Sequence, residues 1–144
     1  MTAHGPQLLS TEEAAMFDAF INGRLSKDEW THEAHLTTCW VALQGRTPQD
    51  ALSMLRGSIR THNCGVGTPN TDTTGYHESL TVYYVTAISQ ISHLPSANTL
   101  ASPDCTRVAP LQYWTKDCLM STEARMAWVA PDVSPLPWTP VTAD

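Results

Sequence analysis

Basic residues are scarce in this chain: eight Lys and Arg stand against fourteen Asp and Glu, for a formal net charge of −6. No run of Lys or Arg occurs, and a nucleic-acid footprint needs a basic face that displaces counterions. The same shortage argues against electrostatic binding to an anionic membrane. Long apolar runs are missing too. None approaches the roughly 20 residues that cross a bilayer. The opening Met1-Thr2-Ala3-His4-Gly5-Pro6 carries no basic segment leading into an apolar one, so no secretory signal is read and the cytoplasm is the expected compartment. The four cysteines (Cys39, Cys64, Cys105, Cys118) include no C-x-x-C pair. Neither a zinc knuckle nor a redox dithiol is signalled, and free thiols are expected.

Charged residues make up 15% and hydrophobic ones 42%, a balance that favours a folded chain over a disordered one. The 144 residues suit one core. The expectation is a single domain over 1–144, with 1–9 and 139–144 poorly ordered.

No segment alternates as a half-buried strand does. Helical signals recur instead. Ser10 with Glu13 has the pattern of a capping box, Phe17, Phe20 and Ile21 follow at helical spacing, and Asn22-Gly23 ends the run. The second helix has two candidate starts. Ser26 with Glu29 is one, supported by a Leu25–Trp30 staple, and Thr31 is the other. It is predicted to end near Leu43. Thr47-Pro48 opens a third helix with Ala51, Leu52, Leu55 and Ile59 on its apolar face, fading near Asn63. A fourth is predicted from about Tyr76 to His93, closed by Leu94-Pro95. Short helices are expected near 96–101, 110–120 and 122–129, the last capped by Ser121. Prolines at 131, 135, 137 and 140 exclude regular structure in the tail. Trp128, Val129, Leu136 and Trp138 should pack it across the domain. The predicted fold is all-α: a bundle of four main helices plus short C-terminal ones, with a Pro-rich tail wrapped on the surface.

Between the third and fourth helices lies Cys64–Gly75, small and polar and too long for a simple connection; such loops are often functional. It lacks the G-x-x-x-x-G-K-[ST] pattern and has no lysine, so no nucleotide cofactor is expected.

The chemistry is expected at two places. On the second helix, His32, His35, Leu36, Cys39, Trp40 and Leu43 form one stripe, with two histidines at the mouth of an apolar face. Cys39 reads as core packing. At the start of the fourth, His77 and Glu78 point about 100° apart. Glu78 continues into Val82 and Val85, so it heads an inward face. A carboxylate beside an apolar wall has a raised pKa and serves as acid or base near neutrality. The bland alternatives are a helix-dipole carboxylate for Glu78, a surface position for His77, and a capping role for one of the stripe histidines. Arg56 could neutralise Glu78 or clamp a substrate carboxylate, or lie on a solvated face. Asn63 and Asn70 could hold polar groups, and Trp30, Tyr76 and Thr81 could line the pocket. His4, His62 and His93 have no supporting pattern.

These segments carry a resemblance. Trp30-Thr31-His32-Glu33-Ala34-His35-Leu36 and Gly75-Tyr76-His77-Glu78-Ser79-Leu80-Thr81 resemble a family of small, mostly uncharacterised bacterial proteins with H-x-x-H-L and Y-H-E-[TS]-L-T segments. Ser121–Arg125, Pro131-Asp132 and Pro135-Leu136-Pro137 resemble its ending. Ser79 stands where the family usually has Thr, and keeps the hydroxyl. The resemblance points to the same residues and implies almost nothing about a reaction.

Three readings stand open. One is a metal-free acid–base enzyme, a lyase, isomerase or cyclase of a small polar metabolite, using His32, His35, His77 and Glu78. Another is a single Zn, Fe, Ni or Cu ion on the same four residues. The third is a binding module without catalysis. A small-molecule partner is expected, with no nucleic acid and no membrane; a homodimer is left open. In each case the pocket is placed between the N-terminal halves of the second and fourth helices, under the 64–75 loop.

Overall fold

In a computed structural model, which describes residues 9–142, every regular element is helical. The elements are α1 (Thr11–Ile21), α2 (His32–Ala42), α3 (Pro48–Gly65), α4 (Glu78–Ser89) and α5 (Ser96–Ala101), then 3-10 turns at Pro103–Cys105 and Ala109–Gln112, then α6 (Lys116–Leu119) and α7 (Thr122–Met126). The all-α class read from the sequence is the fold.

Local capping chemistry sets the starts. Ser10 and Glu13 form the reciprocal box at α1. Thr47 caps α3 with Pro48 behind it. The two candidate starts of α2 both make their bonds. Ser26 and Glu29 exchange backbone–side-chain bonds at 2.9 and 3.2 Å but close only a turn. Thr31, in extended backbone, accepts from Ala34 N–H and starts the helix.

Several boundaries differ from expectation. α4 begins at Glu78, because Tyr76 is not helical and His77 is an extended N-cap. It ends at Ser89 and not His93, where side chains of α2 and of the turn after it capture the next carbonyls: Gln44 donates to Ser92 O and Trp40 Nε1 to Leu94 O. The expected 110–120 helix is two pieces, broken at Thr115, which caps α6 while its own N–H and hydroxyl donate to Asp132. α7 stops at Met126 and not 129. Buried Ser79 on α4 donates to Ala127 O and accepts from Val129 N–H, which pulls the chain into the tail.

The main core lies between α1, α2, α3 and α4, around Phe20, Leu36, Trp40, Leu43, Leu52, Leu55, Val85 and Ile88. A second cluster joins α4 to the C-terminal segments through Tyr83, Trp114 and Leu119, with Trp128, Leu136 and Trp138 packed on it. Cys39 is buried in the main core, and all four cysteines are free thiols. Residues 1–9 and 139–144 were expected to be poorly ordered. Residues 1–8 and 143–144 lie outside the described residues, but Leu9 packs against the main core and Val141 is buried in it. No helix among the described residues is long and apolar enough to cross a membrane.

Candidate functional site

A cavity of about 590 Å³ opens between α2 and α4, backed by α3 and walled by the 66–77 segment. α2 contributes His32, His35, Leu36, Thr38 and Cys39. α3 contributes Leu55, Ile59 and Asn63, and α4 contributes Leu80, Thr81, Tyr84 and Val85. Trp30, Tyr76, His77, Lys27 and Arg107 complete the wall.

The wall from α3 to α4 is held by one asparagine. Asn70 Oδ1 accepts from Asn63 Nδ2 and from Tyr76 N–H, both at 3.0 Å, while its Nδ2 donates to Arg60 O at 2.9 Å. Asn70 therefore organises the loop and does not line the cavity. Gly75 closes the loop in the left-handed region at φ 80°. A Cβ there would meet Pro69 O at 2.4 Å. Arg125 of α7 clamps the Gly75 carbonyl at 2.9 Å.

The four histidine and glutamate positions divide. His77 Nδ1 accepts from Leu80 N–H at 3.1 Å, and its Nε2–H donates to Leu119 O at 2.6 Å. Both nitrogens are spent on capping α4 and tying it to α6. Loss of water around the ring lowers its pKa, against the bond to Leu119, with the Arg125 charge adding to the effect. His77 is thus a neutral capping residue whose ring forms part of the wall.

Glu78 does not line the cavity. Its carboxylate receives Arg56 Nε at 3.1 Å, Arg56 Nη2 at 2.6 Å and the Tyr76 hydroxyl at 2.7 Å. Arg56 pairs with it, and neither residue lines the cavity. Loss of hydration raises the Tyr76 pKa, so its hydroxyl stays a donor, and the Arg60 guanidinium lies over its ring at 4.7 Å. The expected proton-transfer role of Glu78 is replaced by a packing role: the carboxylate fastens α3 to α4 and fixes the Tyr76 ring. Thr81 lines the cavity, but its hydroxyl donates to His77 O.

His32 and His35 remain. His32 Nε2–H donates to Cys105 O at 2.8 Å, fixing the ring against Tyr84 at 5.6 Å. His35 Nδ1–H donates to Thr31 O at 2.6 Å, and its ring lies on Trp30 with centroids 3.9 Å apart. That bond puts the proton on Nδ1 and leaves Nε2 as a lone pair that no group among the described residues takes. His35 is exposed, and its side chain lines the cavity. Loss of hydration there lowers its pKa, opposed by the Thr31 bond, with His32, His62 and Arg107 adding like charge. At neutral pH His35 presents an uncharged, oriented acceptor to the cavity.

His32, His35, His77 and Glu78 do not converge as one ligand set. Among the described residues no group of three or more His, Cys, Asp or Glu side chains is arranged to hold a metal ion. His77 is bonded through both nitrogens and Glu78 through both oxygens, so the four-residue metal site left open in the sequence is not assembled among the described residues.

Four features lay outside the sequence reading. Lys27 and Arg107 sit in turns without periodicity. Thr38 lies on α2, three residues after His35 on the helix that carries the stripe. His62 on α3 is 2% exposed with both ring nitrogens unpartnered, packed between Phe20 at 5.6 Å and Trp30 at 4.9 Å. The i, i+3 spacing of Ile59 and His62 puts them on adjoining positions of α3, a signal that was available.

Comparison of the chain with protein-family models, curated proteins and solved structures finds no match.

Proposed function

We propose that the protein is a small-molecule enzyme of the proton-transfer type, acting on a ligand bound between α2 and α4, with His35 as the base. The observation that supports this is the oriented imidazole: Nδ1 fixed on a backbone carbonyl, the ring against Trp30, and the side chain on the wall of a cavity of about 590 Å³. A base needs a defined tautomer and access to the substrate proton, and His35 has both. The volume falls in the ordinary range of small-molecule sites. His32, anchored on Cys105 O, orients the ligand from the same helix face. Within this reading, Glu78 and His77 support the wall, and the resemblance to the H-x-x-H-L family contributes the pairing of His32 with His35. The reaction class is elimination, isomerisation or ring closure, each of which moves a proton without an external oxidant.

Incubation with a metabolite extract in D₂O, followed by mass spectrometry, tests it without a known substrate. Wild-type protein should change the mass or deuterium content of a small set of compounds, and His35→Gln should not, at unchanged thermal stability. If the wild type alters nothing, or the variant alters the same compounds at the same rate, the proton-transfer reading is wrong. Ligand binding that survives without turnover would assign the cavity to a binding module.

A further inference from the structure

The cavity has a charge pattern opposite to that of the molecule. The chain carries fourteen acids and eight bases, yet among the described residues no Asp or Glu lines the cavity, while Lys27 and Arg107 do. Most other cations are engaged: Arg24 with Asp18, Arg56 with Glu78, Arg60 over Tyr76, Arg46 on Ala42 O, and Arg125 on Gly75 O. Lys27 and Arg107 are exposed, and their side chains enter no hydrogen bond or ion pair among the described residues. Two unpaired cations thus stand at one cavity of an acidic protein, and they come from segments 80 residues apart in the numbering.

One part of the wall is apolar. Leu36, Leu55 and Val85 are buried side chains that line it, with Ile59 beside them. Within that wall Thr38, 1% exposed, holds a hydroxyl with no partner. A buried hydroxyl left unpaired costs free energy until a ligand or water meets it.

The geometry points to a small organic anion as the ligand: a carboxylate on an aliphatic or aromatic body, its charge at Lys27 and Arg107 and its body on the Leu36–Leu55–Val85 wall. This rests on the reading of the cavity as the functional site, and it names the substrate class of that site. Arg offers a planar fork that matches a carboxylate, and Lys a point charge beside it.

Calorimetry with 4-phenylbutyrate and its uncharged amide, 4-phenylbutyramide, tests the class. The two share a body and differ in charge. The acid should bind about tenfold more tightly, a gap that two partly exposed ion pairs can supply. Lys27→Ala combined with Arg107→Ala should bring the acid down to the amide's affinity without lowering the melting temperature, since neither side chain has a partner to lose. Equal binding of acid and amide to the wild type would overturn the anion class and leave the cavity standing as a site for neutral ligands. Failure of both probes to bind at millimolar concentration would overturn the class and the cavity together. Binding of the acid without any turnover in the extract would sustain the class while removing the enzyme reading.

Discussion

Glu78→Gln separates a packing carboxylate from a catalytic one. In the native protein three donors converge on it: two from Arg56, at 3.1 and 2.6 Å, and the Tyr76 hydroxyl at 2.7 Å. Glutamine keeps the shape but offers one oxygen where there were two. With that oxygen on the Tyr76 side, the new amide N–H groups face Arg56 Nη2; turned round, they face Arg56 Nε. Either way one charge-assisted bond becomes a donor–donor contact and the attraction to the guanidinium is lost. Hydrogen bonds to charged groups contribute about 1.5–3 kcal/mol net. The Glu78 side chain is 10% exposed, so little water replaces the lost bond there, whereas Arg56 at 31% regains some hydration. The expected cost is therefore about 2 kcal/mol. At about 3 °C per kcal/mol for a chain of this size, the melting temperature should fall by about 6 °C. Urea unfolding followed by tryptophan fluorescence gives the free energy directly. A cycle with Arg56→Gln should show coupling of at least about 1 kcal/mol. Binding of the carboxylate probe and turnover should persist, because Glu78 is not part of the cavity wall. A melting temperature lowered by less than about 1 °C would show that the ion pair carries no structural weight. Lost turnover at full stability would return Glu78 to the reaction and refute its assignment as a packing residue.

His62 should make the fold acid-sensitive. Its buried ring resists the proton that the unfolded chain accepts near pH 6.5, so its pKa is lowered in the folded state. Stability is then full above about 6.5 and declines as pH falls toward the folded value, with His35 and His77 acting in the same direction. His62→Leu should flatten the curve of melting temperature against pH between about 6.5 and 5, and an unchanged slope would remove His62 from the account. Gly75→Ala forces a Cβ to within 2.4 Å of Pro69 O at a φ of 80°. It should destabilise by more than about 2 kcal/mol and weaken probe binding, since Asn70 loses its seat on the loop. A melting temperature within about 2 °C of wild type would show that the loop relaxes freely.

The helices that could be read from the sequence are those whose ends are local chemistry. Ser10, Thr31, Thr47 and Ser121 each cap within their own turn. Ends set by distant partners could not be read. α4 stops where Trp40 of α2 and Gln44 just beyond it reach across, and α7 stops where Ser79 reaches across from α4. The site divides in the same way. The stripe on α2 places His32 and His35 beside one another because spacing on a helix is geometry. What His77 and Glu78 do depends on Leu119, Arg56 and Tyr76, and no spacing rule reports where those atoms arrive. Lys27 and Arg107 lie in turns, where charge has no periodicity to betray its direction. The buried Glu78 looked like a proton-transfer group because its helical face is apolar. The bidentate arginine that occupies it comes from a different helix.

The tail gives the molecule a clock. Val141 N–H donates to the hydroxyl of fully buried Thr86, and Trp138 lies against Tyr83 at 6.2 Å, so one face of α4 is finished only by residues far downstream. At about 5–20 residues per second of synthesis, the stretch from Ser89 to Val141 takes about 3–10 s to appear. For that interval a nascent chain holds α4 with the Thr86 hydroxyl unmet by Val141 and the Trp138 side of Tyr83 uncovered. Contacts through α2 and α3 can form early, whereas the aromatic cluster that braces the cavity from behind waits for translation. A chain stalled before residue 138 would carry its histidine pair and its cavity-lining helices with that bracing face still open.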